Sequence, residues 1–345
     1  MKKMIALLLV LTISFTAVAC AAPKNPSDVE NSTGTENSTE AEKPTETEKP
    51  TEAEKPTETE EPTQEAKHML DGKKIIFIGD SFIYYGQVVL DGSASRYNDK
   101  GYFYQLCKSV GAEVSVTNWT YGGKGISYIY ENYMSNITDR DYDYVVFSGG
   151  RNSASKATDY YKTLKAYMDA FNAVNPDTKY FYLVSSGAHN ISTTETFPVD
   201  ILNNLDEFEK MGITIVDWGK LVSDIIRGNV SVPNAKQAYE KNTFVVHKSS
   251  TDGHHPNQLT GYVTALMTYC AITGESAVGK SYAFCTDSSV NKAFKTETYL
   301  KKYYTQGTTN YPEVFKSPED MQGLQTLMDQ YLAAKAYRDY QFTAK

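Results

Sequence analysis

From residue 75 onward the chain alternates short apolar runs with longer stretches in which apolar residues recur at helical spacing. The first run, residues 75–79, is rich in β-branched and aromatic side chains, the pattern of a strand covered on both faces. It halts at Gly79-Asp80-Ser81. Residues 114–118 alternate apolar and polar positions as a second strand, and residues 144–147, 180–184 and 213–216 predict three more. Helical spacing fills the gaps. Residues 102–110 predict a helix stopped by Gly111, residues 157–174 a helix closed by Asn175-Pro176, and Pro198 starts a helix that Gly212 ends. Residues 258–272 place Leu259, Tyr262, Val263, Leu266 and Cys270 on one helical face, ahead of a terminating Gly274. Ser317-Pro-Glu-Asp320 opens a last helix with a capping signal. Strands alternating with helices of this length predict crossover units, a central parallel sheet and hence a three-layer α/β/α sandwich.

The first 67 residues follow neither period. Lys2 and Lys3 precede one apolar block, residues 4–18, and Ala-Val-Ala-Cys20 closes it, the form of a secretory signal rather than a spanning helix. A Cys directly after small residues is similar to a bacterial lipoprotein cleavage box, which makes Cys20 the expected lipidated N-terminus and the protein an extracytoplasmic, membrane-anchored one. A cleavage site without lipid is the alternative. Residues 21–67 are Pro, Thr, Glu and Lys in near-repeats, with almost nothing apolar to offset chain entropy, and read as a disordered tether. That tether holds thirteen acids and five lysines, so the net charge of −8 belongs to it and residues 68–345 are nearly neutral. Acidity therefore says nothing about substrate. Residues 68–345 suffice for one sizeable α/β domain, with residues 286–345 as a C-terminal helical extension.

No basic patch with interleaved aromatics is present, which sets nucleic acid aside. Cys107, Cys270 and Cys285 lack the paired spacing of a zinc site. One disulfide among them suits an exported protein, although spacing cannot choose the pair; three buried thiols acting as small apolar residues is the other reading. No metal or cofactor is expected, and the chain is expected to be a monomer.

Candidate chemistry lies at strand ends. Gly79-Asp80-Ser81 ends the first strand, where open α/β sheets hold their ligands, although an Asp/Ser helix cap accounts for the tripeptide equally simply. Asp252-Gly-His254-His255-Pro256 precedes the helix at residue 258. An Asp and a His three apart can set the carboxylate against one imidazole nitrogen and leave the other for a serine proton, and a serine hydroxyl is a weak nucleophile without such a base.

These residues together resemble the SGNH (GDSL-type) hydrolase family over roughly residues 75–262. The resemblance implies a flavodoxin-like α/β/α fold and esterase, deacetylase or acyltransferase chemistry. It further implies Ser81 as nucleophile, His255 as base and Asp252 as its partner. The second block, residues 118–125, begins at Asn118 and implies Gly123 as an oxyanion-hole amide beside that of Ser81, with Gly122 and Gly125 as alternatives. The third, Gly150-Arg151-Asn152, implies the Asn152 side chain as the remaining donor. Two departures stand out: Ser153 replaces the usual Asp of the third block, and Phe82 replaces the commoner Leu of the first. His254 competes with His255 for Asp252, and the family spacing favours His255.

Asp80, Tyr84, Arg151 and His189 are expected near substrate, whereas His68 and His247 carry no signal. Tyr84, Tyr85 and Trp119 flank the blocks and suit either sugar rings or simple packing. The function expected is envelope-anchored hydrolysis of small acyl esters on carbohydrate. An O-acyltransferase with the same triad and a non-catalytic glycan-binding lipoprotein are the rivals.

Overall fold

The computed structural model describes residues 67–92, 96–149, 157–185, 205–245, 255–294, 315 and 317–335. Cys20, the tether, Gly150, Arg151, Asn152, His189, His247, Asp252, His254 and the start of the helix expected at Pro198 lie outside the described residues. So do most residues between 295 and 316.

Five strands are parallel throughout: β1 (Lys74–Gly79), β2 (Ser115–Thr120), β3 (Tyr144–Ser148), β4 (Lys179–Leu183) and β5 (Ile213–Val216). Their order is β2-β1-β3-β4-β5. This is the flavodoxin-like order, and its reversal between β1 and β3 leaves a crevice at the carboxyl ends of those two strands. Alternation along each strand divides the core. Ile75 and Phe77 face one apolar layer, Ile76 and Ile78 the other.

Helices α1 (Ser81–Tyr85), α2 (Tyr102–Ser109), α6 (Trp218–Arg227), α8 (Gln258–Thr273) and α10 (Pro318–Ala334) contribute to the first layer. Helices α3 (Ile126–Tyr133), α4 (Ala157–Asn172) and α5 (Leu205–Lys210) contribute to the second. Two short turns, α7 (Lys241–Phe244) and α9 (Ser288–Asn291), and two 3-10 turns, Met134–Asn136 and Ala283–Thr286, complete the described elements. The architecture is a three-layer α/β/α sandwich.

Strand β2 runs two residues beyond its expected end and so draws Trp119 and Thr120 into the sheet. Helix α3 has no polar start signal; its N-cap, Gly125, makes no side-chain cap bond. Helix α6 does carry its signals, an Asp217 cap and a left-handed Gly228 after the last turn.

Helix α8 differs from the one-face expectation. Fourteen of its sixteen residues are buried, because α10 closes over the side that the sheet leaves open. Met321, Leu324, Leu327 and Met328 of α10 join the same apolar cluster, and the Gln325 amide donates to the Tyr262 hydroxyl at 2.6 Å. The C-terminal extension is thus part of the core around α8.

All three described cysteines are buried and free, which is the packing reading rather than the disulfide. His68, without a signal in the sequence, lies 3.1 Å from the Tyr269 hydroxyl and 3.2 Å from Glu275 Oε1, which ties the domain's first residues to the end of α8.

The α6 cap predicts a pH effect. One Asp217 carboxylate oxygen accepts from the Lys220 amide at 2.9 Å; the other is buried without a partner. Burial pushes this carboxyl up to about 7, against the opposing pull of the Lys220 amide and charge. A carboxyl raised in the folded state contributes stability below its unfolded pKa and loses it as pH rises through the folded value. The wild-type protein should therefore lose stability from about pH 4 to pH 7. Asp217→Asn keeps a capping oxygen and removes that slope. Chemical denaturation at pH 8 should show the variant more stable by on the order of 3 kcal/mol relative to their difference at pH 4; an equal difference at both pH values counts against a buried ionising cap.

Candidate active site

Helix α1 is five residues long, and all five are buried. It starts where β1 ends because Asp80 is its N-cap, accepting from the Phe82 amide at 3.0 Å. The cap anticipated at Gly79-Asp80-Ser81 is present: Asp80 holds the turn while Ser81 begins the helix. The Ser81 Oγ lies 3.0 Å from His255 Nε2 across 174 residues of chain. Serine and imidazole meet at the carboxyl end of β1, beside the switch point of the sheet.

His255 is held from the far side of the chain. Pro256 bridges Val245 in an antiparallel pair, and the Asn257 amide donates to the Phe244 carbonyl at 3.1 Å. The Asn257 side chain donates to the Thr243 carbonyl at 2.7 Å and caps α8 by accepting from the Thr260 amide at 3.1 Å. Capping fixes the start of the helix, so the residue two positions before the cap is fixed with it.

The distance between α8 and α1 is then set by two glycines. A Cβ on Gly261 would stand 1.3 Å from the Gly86 carbonyl oxygen. No other residue permits this approach. Ser81 and His255 are within hydrogen-bonding range because the end of α1 and the first turn of α8 touch backbone to backbone.

The imidazole is also packed by α1 itself. The Tyr85 ring stacks on it with centroids 4.0 Å apart and planes 18° apart, and the Phe82 ring lies 5.6 Å away, tilted by 38°. Phe82, which replaces the Leu expected there, therefore walls the imidazole.

On the other side lies the Gly-rich turn after β2. The Tyr121 amide donates to the Gly79 carbonyl at 2.9 Å, and the Lys124 amide closes the turn on the Tyr121 carbonyl at 3.2 Å. Gly123 takes φ 70°, the left-handed conformation that favours glycine, and is exposed. A Cβ on Gly122 would meet the Tyr84 hydroxyl at 2.4 Å. Helix α1 thus touches the Gly turn through Tyr84 and the imidazole through Ser81, Phe82 and Tyr85. At the end of β3, the Tyr182 hydroxyl donates to the Gly149 carbonyl at 2.9 Å; the Gly150-Arg151-Asn152 block starts at the next residue, outside the described ones.

Asp80 and Tyr84, expected as substrate contacts, are instead buried at 1% and 5% exposure as cap and turn support. Tyr85 and Trp119 are buried too, so three aromatics anticipated as possible sugar platforms are packing residues. Trp119 carries the Arg96 guanidinium 3.7 Å from its ring centroid. Arg96 also bonds the Tyr121 hydroxyl, and Tyr121 stacks on Tyr133 at 4.2 Å. The second-block Asn118 is fully buried, its side-chain oxygen accepting from Thr120 Oγ1 at 2.9 Å.

Sequence reasoning passed over Gly261 and the place of Tyr85 against the imidazole. The signal for Tyr85 was its place four residues after Ser81, on the same face of any helix that Asp80 caps. For Gly261 it was a lone glycine inside a helical pattern, which commonly marks a close approach.

Among the described residues no three His, Cys, Asp or Glu side chains gather as metal ligands would. A cavity of about 760 Å³ opens elsewhere, between β5 and the last turns of α8 and α10, lined by Thr214, Cys270, Glu275 and Asp329 among others. It holds none of the strand-end residues above.

No protein-family model matches the chain, and no curated protein sequence matches it. Among solved structures it is similar to an alpha/beta hydrolase enzyme from the metagenome of Lake Arreo, Spain, at 18% identity and a TM-score of 0.43, over 59% of this chain and 96% of that one. It is also similar to an acetylxylan esterase from Geobacillus stearothermophilus, at 13% identity and a TM-score of 0.42, over 60% of this chain and 96% of that one.

Proposed function

We propose that the protein is a serine ester hydrolase of SGNH type that removes small acyl groups, acetyl foremost, from carbohydrate hydroxyls. The observation that carries this reading is the 3.0 Å contact between Ser81 Oγ and His255 Nε2 at the sheet's switch point. A hydroxyl in hydrogen-bond reach of an imidazole is an activated nucleophile.

In the reaction, His255 takes the Ser81 proton as Oγ attacks the ester carbonyl, and Asp252 orients the imidazole through its other nitrogen. The tetrahedral oxyanion accepts hydrogen bonds from the Ser81 and Gly123 amides and from the Asn152 side chain. Donors fixed in advance are worth about 3–4 kcal/mol each at such a site. Collapse breaks the bond to the alcohol oxygen, which leaves with the proton from His255. Water then attacks the acyl-serine, gives a proton to His255, and releases the acid as Ser81 recovers its own.

Two further features complete the reading. The alcohol side faces the Gly122–Lys124 turn, where the exposed Tyr128 offers aromatic surface to a sugar. Lipid on Cys20 and the tether of residues 21–67 hold the domain away from a bacterial membrane.

A fluorophosphonate probe tests the chemistry. Native protein should be labelled, with the adduct on the peptide containing Ser81, and p-nitrophenyl acetate should turn over faster than the octanoate. Unlabelled native protein would sink the reading.

A further inference from the structure

We infer that Tyr85 is a positioning residue for the base: its phenol ring holds the His255 imidazole against Ser81 and favours the charge that the imidazole acquires in the reaction. This rests on the hydrolase reading above and adds a part to it.

The geometry begins with spacing. Ser81 and Tyr85 are four apart on α1 and so lie one above the other on one face. The imidazole spans that helical turn, with Nε2 at Ser81 Oγ and its ring face on Tyr85, centroids 4.0 Å apart and planes 18° apart. The phenol cannot easily move aside. It is 8% exposed and is backed by Tyr84, 5.2 Å away. Phe82 closes the imidazole from a second direction. One short helix therefore supplies the nucleophile and two walls of the slot for its base.

The chemistry gives the stack a direction. Before reaction the stack contributes dispersion and shape. When Oγ attacks, the ring gains a proton and a positive charge directly over a π-face, where a cation is attracted. An interaction stronger in the transition state than in the ground state raises kcat rather than lowering KM. The ring face carries this effect.

The test uses the full chain with p-nitrophenyl acetate and the fluorophosphonate probe. Tyr85→Phe should keep kcat within about threefold. Tyr85→Leu should lower kcat and the labelling rate by roughly tenfold with little change in KM. Should Tyr85→Leu fail to fold, phenylalanines carrying one, two and three ring fluorines at position 85 keep shape while draining the π-face. In that series kcat should fall with each fluorine. A flat series in a protein that labels normally overturns the role of Tyr85 and leaves the hydrolase reading intact. Wild-type protein that does not label at all overturns both.

Discussion

Ser81→Ala is expected to lower kcat/KM for p-nitrophenyl acetate by at least about 10⁴-fold, the scale on which serine hydrolases lose rate without their nucleophile. Residual rate would come from the oxyanion donors and binding alone. The fold should survive. Asp80 still caps α1 through the Phe82 amide, and one hydroxyl at the first helical position contributes little to packing. The melting temperature should stay within a few degrees or rise, since strained catalytic groups are commonly kept at a cost to stability. Steady-state kinetics and a thermal melt decide it together: retained turnover in a folded variant removes Ser81 from the chemistry.

The second large effect comes from a residue with no chemistry at all. Gly261→Ala puts a methyl group 1.3 Å from the Gly86 oxygen, so α8 and α1 must separate by well over an ångström. The separation acts directly on the Ser81–His255 contact. A misplacement near 1 Å is worth about 10²-fold in rate, and overpacking costs about 1–3 kcal/mol of stability. Gly86→Ala probes the same contact more gently, because its nearest neighbour would be the Gly261 Cα at 3.0 Å. The expected order of activity is wild type, then Gly86→Ala, then Gly261→Ala, with both variants folded by circular dichroism. Undiminished labelling of Gly261→Ala would mean that the helix contact does not set the distance.

The fold was legible because the first, third, fourth and fifth strands leave short apolar runs and the second alternates apolar with polar residues, and all five lie where those patterns predicted them. Their order was not legible, since periodicity carries no information on neighbours. Helix α3 escaped because an aromatic, β-branched segment after Gly125 lacks polar caps. For α8, burial on all sides depends on α10, some sixty residues later in sequence, and one-face periodicity cannot anticipate a second cover.

The site was legible as residue types. Ser81 and His255 followed from a motif, whereas the device that joins them did not. It consists of a glycine contact and an aromatic stack, and such features matter through what they allow to approach, which only a folded chain displays. Tyr84 and Tyr85 illustrate the limit. Adjacent and chemically identical, one supports the Gly turn and the other the imidazole, and composition left both open between a sugar surface and packing.

Because α8 is enclosed by elements reaching to Ala334, the imidazole at its threshold is held in place only once the chain out to that residue has been made. A nascent chain still lacking α10 would carry the serine without the imidazole fixed beside it. Turnover by the proposed hydrolase would then double as an assay of finished folding, silent in molecules cut before α10 even where the sheet itself had formed.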